Sequence, residues 1–195
     1  MSKRLEYFFD YVSPFSYLAD SQLPALVERT GAELCYRPFL LGGVMKASGN
    51  SPPFSVPAKG RYVLLDSQRW AARYGLPLHP NPHFPVNTVL PLRAALVLQE
   101  DGGFPAYHDA LFKAMWSEGQ NVADAAVLRT LLEKLGIDAD HVFARCQEPP
   151  IKDSLRANTD EAVERGAFGA PTFFVGDQIF FGNDRLDFVE AALRG

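Results

Sequence analysis

Cysteine is scarce in this 195-residue chain: there are two, Cys35 and Cys146, and neither belongs to a CxxC pair. That spacing offers no disulfide framework and no cysteine metal site. The two thiols read as small buried hydrophobes in a reducing compartment, so a cytoplasmic location is expected. The four histidines, His79, His83, His108 and His141, are scattered and form no HExxH, so no metal is expected. There is no run of lysine or arginine, and the net charge is −4. Nothing attracts a phosphate backbone, which argues against a nucleic-acid partner. Long apolar runs are also missing, and none approaches the roughly 18 residues of a membrane span. The opening segment, Met1 to Asp10, turns acidic too early for a signal peptide.

What the chain does have is core-forming material: 47% of its residues are hydrophobic, enough for one domain with an inserted subdomain. Leu5 to Phe9 is short, aromatic and bounded by Asp10, which predicts a buried strand. Ser13-Pro14 supplies an N-cap with proline at the first helical position. Leu18, Gln22, Leu23, Leu26 and Val27 continue at helical spacing, with Pro24 kinking or restarting the helix and Gly31 ending it. Leu34 to Arg37 alternates as a second strand, ended by Pro38. This β-α-β start predicts parallel strands with a right-handed crossover.

From Val56 to about Gly166 the period is helical. Tyr62, Val63, Trp70 and Tyr74 mark one stripe, closed by Gly75. Leu92, Ala95, Leu96 and Leu98 mark a second; Tyr107, Leu111, Phe112, Met115 and Trp116 mark a third. Val127, Leu128, Leu131, Leu132 and Leu135 make a fourth, between Asp124 and Gly136. All four read as core. A proline-rich loop, Pro77 to Pro91, is expected to run irregularly. Then β returns: Thr172 to Val175, a Gly176-Asp177 turn, and Gln178 to Phe181 form a hairpin, and Gly182-Asn183-Asp184 caps a last helix.

Three features far apart in sequence carry chemistry. The first is Ser13-Pro14-Phe15-Ser16 at the first helix start, where thioredoxin-fold oxidoreductases place Cys-Pro-x-Cys. A helix N-terminus presents free N–H groups and about half a positive charge, which favours a thiolate. With serine at both cysteine positions the thiolate must come from elsewhere; alternatively, Ser13 is only a helix cap. The second is Phe168-Gly169-Ala170-Pro171-Thr172 before the hairpin, where a cis proline would leave backbone groups free for an extended peptide; an ordinary strand-initiating proline is the alternative. The third is Phe181-Gly182-Asn183-Asp184-Arg185, an anion-accepting helix start with an acid that can meet an ammonium group.

These segments together resemble the 2-hydroxychromene-2-carboxylate isomerases, relatives of the kappa-class glutathione transferases. The likeness lies in Phe9-Asp-Tyr-Val-Ser-Pro-Phe-Ser-Tyr-Leu-Ala19, Met45-Lys-Ala-Ser-Gly-Asn-Ser-Pro-Pro53, Val56-Pro-Ala-Lys-Gly-Arg-Tyr62, Gln68-Arg-Trp-Ala71, Phe168-Gly-Ala-Pro-Thr172 and Gly182-Asn-Asp-Arg-Leu186. It spans almost the whole chain, in the family's order. The resemblance implies an α/β, thioredoxin-like fold with a large helical insertion: residues 1–55 and 166–195 as the glutathione-binding domain, and 56–165 as the insert. It implies glutathione as cofactor, with Ser13 bonding its sulfur, Ala170 before cis Pro171 pairing its cysteinyl backbone, and Gly182, Asn183, Asp184 and Arg185 at its γ-glutamyl group. Asn50 and Lys59 would lie near the peptide, Lys59 on the glycine carboxylate; a solvated surface lysine is the alternative for Lys59. Lys46 would meet a substrate carboxylate and Phe84 would stack on a ring, although the proline loop departs from the family pattern. The implied reaction is conversion of 2-hydroxychromene-2-carboxylate to trans-o-hydroxybenzylidenepyruvate by a cytoplasmic homodimer. A kappa-like transferase and a non-catalytic thiol- or peptide-binding module are the rival readings.

Overall fold

The first strand, β1 (Arg4–Phe9), ends in a continuous apolar run because both of its faces are covered there: Tyr7, Phe8 and Phe9, like Leu5, are fully buried. The computed structural model describes residues 3–195. Met1 and Ser2, which open the expected 1–55 segment and the start read as lacking a signal peptide, lie outside the described residues. After β1 come α1 (Pro14–Asp20) and α2 (Leu23–Thr30). Pro24 stands in the first turn of α2, where a missing N–H costs nothing, so it restarts the helix instead of kinking it. Gly31 ends α2 in the left-handed region, at φ 66°. The second strand, β2 (Glu33–Pro38), runs parallel to β1, with Leu5 opposite Leu34 and Phe9 opposite Pro38.

The hairpin falls where the turn chemistry puts it: β3 (Thr172–Val175) and β4 (Gln178–Phe181) flank Gly176-Asp177. β3 lies antiparallel to β1, Leu5 opposite Val175, and the strand order is β2-β1-β3-β4. The earliest strand is therefore internal, with β2 on one side and β3, from the far end of the chain, on the other. Alternation along β1 sorts its side chains. Tyr7 and Phe9 point to one face, where Tyr7 stacks on Phe173 at 5.1 Å between centroids. Phe8 points to the other, with Phe39, Val44, Ala162 and Phe174.

Between β2 and β3 run α3 (Leu41–Ser48), a 3-10 turn at Pro53–Ser55, α4 (Pro57–Tyr74), α5 (Val89–Asp101), α6 (Phe104–Trp116), α7 (Ala125–Lys134), α8 (Ala139–Arg145) and α9 (Pro149–Glu164); α10 (Leu186–Arg194) follows the hairpin. The α/β, thioredoxin-like architecture with its helical insert is the one expected. The stripes of α5 and α6 are core. The α4 stripe is not: that helix seats itself through small buried residues, Gly60, Ser67 and Ala71, and leaves Tyr62, Leu64 and Leu65 exposed. Small side chains let the helix approach closely, and the large apolar ones stay outside. Among the described residues no helix is long and apolar enough to cross a membrane.

Candidate active site

The site begins where β1 stops. Asp10 ends the strand, the chain turns, and Ser13 N–H donates to the Asp10 carbonyl at 3.0 Å. Ser13 is extended, φ −90° and ψ 116°, and its Oγ accepts from the Ser16 N–H at 3.1 Å, so it is the N-cap of α1 with Pro14 in the first turn. The same hydroxyl donates to the Ala170 carbonyl at 3.1 Å, across 157 residues of sequence. The Ala170–Pro171 bond is cis. The Pro171 carbonyl in turn accepts from Gly182 N–H at 3.0 Å, which ties the end of β4 to the same spot. Ser16, at the other expected cysteine position, is fully buried and its Oγ has no hydrogen-bond partner among the described residues.

A cavity of about 540 Å³ opens beside Ser13. Its walls are mostly apolar: Val12, Phe15, Leu41, Met45, Phe54, Val63, Phe84, Val86, Phe168 and Phe181. Its polar groups are few, namely Asp10, Ser13, Asn50, Ser51, Lys59, Asn87 and Thr88. Among the described residues Lys59 is the one cation in this lining. Asn50 follows the left-handed Gly49 and donates through Nδ2 to the Phe168 carbonyl at 2.9 Å, strapping the segment after α3 across to the loop before β3. Phe54 wedges between Gly60 and the Phe84 ring, whose centroid is 4.8 Å away.

Of the residues singled out from sequence, Ser13, Asn50, Lys59, Phe84 and Ala170 line this one cavity, and Pro171 adjoins it. Lys46 does not: it lies exposed in the last turn of α3 and is not part of the lining. Asn183 and Asp184 line a second, smaller concavity of about 140 Å³ with Gln22, Trp70, Arg73 and Tyr74. Asn183 is 3% exposed and its Nδ2 has no partner among the described residues, while Asp184 is held by Arg185 at 2.6 Å. Gly182 has φ 100°, and a Cβ there would meet Asp184 Oδ1 at 2.5 Å, so only glycine fits this bend without strain.

One buried group was not singled out. Asp10 is 1% exposed and lines the cavity, and among the described residues it has no cationic partner within hydrogen-bond reach. Burial pushes its carboxyl up, against hydrogen bonds from Thr88, Leu41 and Val12 that favour the charged form. An acid directly after the apolar Tyr7-Phe8-Phe9 run was the available signal. Met45 opens one of the segments that carry the family likeness and Thr88 lies in the proline-rich loop, but neither they nor Phe54 were named as site residues.

Residues 4–194 match the DSBA-like thioredoxin domain. The chain is 38% identical to the 2-hydroxychromene-2-carboxylate isomerase of Sphingobium xenophagum, covering 99% of both chains. It is 29% identical to glutathione S-transferase kappa 1 of Caenorhabditis elegans, covering 98% of this chain and 91% of that one. A solved structure of 2-hydroxychromene-2-carboxylate isomerase superposes with a TM-score of 0.87 at 31% identity, covering 97% of this chain and 94% of the other.

Proposed function

The chain belongs to the DsbA-like thioredoxin family, among its 2-hydroxychromene-2-carboxylate isomerases, and on that premise we propose that it is a glutathione-dependent cis–trans isomerase of a bicyclic aromatic breakdown product. The observation that carries this reading is Ser13: a helix cap whose hydroxyl reaches Ala170 before a cis proline, at the wall of an apolar cavity.

The residues present fit glutathione. Asn183 offers an orphaned buried amide beside Asp184, a donor and an acceptor for a γ-glutamyl group. Gly182 and Arg185 complete that bend, and Pro171 fixes it to the Ser13 end through the Gly182 N–H. Lys59 is the cation for a carboxylate, and Asn50 lies close by as an amide. Glutathione supplies, when bound, a thiolate that can add to a conjugated carbon–carbon double bond and leave again once the bond has turned. A free thiol has pKa about 8.5, so little of it is ionised at neutral pH. Ser13 holds that charge with its hydroxyl, and the α1 N-terminus adds its dipole. To do so the hydroxyl must turn away from the Ala170 carbonyl, which is then free to accept from a peptide N–H. The aromatic walls around Phe84 suit a planar ring; Lys46, exposed on α3 and outside the lining, is not assigned to the substrate.

The proposal extends to the assembly and setting. Exposed Tyr62, Leu64 and Leu65 on α4 support a homodimer, and two free thiols suit the cytoplasm. Residues 1–55 with 166–195 would form the glutathione-binding unit and 56–165 the insert. The kappa-class likeness favours a second reading, a glutathione transferase. Product stoichiometry separates them: with excess chromene carboxylate and limiting glutathione, an isomerase recovers glutathione unchanged after many turnovers. Turnover that stops when glutathione is consumed would establish the transferase instead.

A further inference from the structure

Asp10 receives donors from the start of three helices. Val12 N–H, in the turn leading into α1, donates to Oδ1 at 3.1 Å. Leu41 N–H, the first residue of α3, donates to Oδ2 at 2.9 Å. Thr88 Oγ1, at the start of α5, donates to Oδ1 at 2.6 Å. The last two helices lack a side-chain cap of their own: neither Leu40 nor Thr88 caps its helix, and the Thr88 hydroxyl is turned instead to Asp10. A turn amide, the first amide of α3 and a hydroxyl therefore converge on one buried carboxylate, and their dipoles stand in for a cation. Each of the three segments is also a wall of the cavity: Val12 and Ser13, Leu40 to Gly42, and Phe84 to Thr88.

We propose that Asp10, through Thr88, is a positioning residue that sets the Phe84–Thr88 wall against the Ser13 turn, and so places a bound aromatic substrate relative to the group held at Ser13. This rests on the isomerase reading above. Ser13 keeps its own bonds to Ala170 and Ser16, so loosening the Thr88 side leaves the glutathione side in place.

The test is Thr88→Val, which keeps the shape and removes the hydroxyl, with Thr88→Ser as the conservative return. Three quantities are measured on each protein: kcat and KM for chromene carboxylate, Kd for reduced glutathione by calorimetry, and Tm. Thr88→Val should lose roughly ten- to a hundredfold in kcat, as small misplacements of reacting groups do, while Kd for glutathione stays within about twofold. Thr88→Ser should recover most of the lost kcat. Should the valine variant not fold, Thr88→Ala, which leaves room for a water beside Asp10, should show the same split with a smaller loss. A fall in Tm with kcat unchanged would overturn the proposal, as would kcat and glutathione affinity falling in proportion. A wild-type protein that binds glutathione but does not isomerise would instead sink the isomerase reading itself.

Discussion

Replacing Ser13 by alanine removes two bonds at once, and their consequences are separable. The first is the cap, in which Ser13 Oγ accepts from the Ser16 N–H at 3.1 Å. Losing an N-cap costs about 1 kcal/mol, which for a chain of this size lowers Tm by about 2–4 °C. The second is the hydroxyl that donates to Ala170 and would turn to a thiolate. A hydrogen bond to a charged group contributes about 1.5–3 kcal/mol, so its loss slows turnover roughly 10- to 150-fold at neutral pH. The sign of the pH dependence follows from the charge. A donor to the thiolate lowers the thiol pKa, so its advantage is full well below about 8.5 and vanishes once the free thiol ionises unaided. The assay is steady-state isomerisation by wild type and Ser13→Ala from pH 6.5 to 9.5, with Tm measured alongside. The rate deficit should be largest at the acid end and shrink past about pH 8.5. A deficit that stays constant across that range means Ser13 does not act through thiol ionisation. Full activity at every pH, with only the Tm shift, means Ser13 is a helix cap and nothing more.

Two further outcomes are expected. Gly182→Ala forces a side chain into φ 100° and onto Asp184, so it should cost about 1–3 kcal/mol of stability and weaken glutathione binding; an unchanged melting curve with unchanged affinity would refute the account of that bend. Native thiol titration at pH 8 should find one reactive cysteine of two. Cys146 is fully buried and its thiol is pushed up to about 11, whereas Cys35 is half-buried beside the Arg4 guanidinium at 2.9 Å. Immediate reaction of both thiols in the folded protein would contradict this packing.

The fold was legible where local chemistry is strong. The β1 run, Ser13-Pro14, Gly31, the Gly176-Asp177 turn and the α7 stripe each pair a hydrophobic period with a specific start or stop, and each element formed within a residue or two of its expected bounds. The α4 stripe misled because periodicity locates large apolar side chains and says nothing of close approach. Gly60, Ser67 and Ala71, which seat that helix, carry almost no hydrophobic signal. Within the site, Ser13 and Ala170 were legible from cap and strand-entry chemistry, whereas Asn50, Lys59 and Phe84 came only through the family resemblance; all five line one cavity. Asp10 and Thr88 escaped notice for a physical reason. Their role lies in a bond across 78 residues, and no local pattern encodes which distant donor a buried acid will meet.

The strand order has a consequence for how the protein is made. Leu5 waits for Val175, and the Ser13 hydroxyl waits for Ala170. While the ribosome works, β1 has β2 on one side and an open apolar edge on the other. At about 5–20 residues per second, the roughly 130 residues between β2 and β3 take about 7 to 30 seconds to appear. Throughout that interval the nascent chain displays a surface that other strands can add to and that chaperones cover. A message broken anywhere before Thr172 therefore yields a quality-control substrate without partial activity, since the final strands cover the open side of β1 and complete the site in one event.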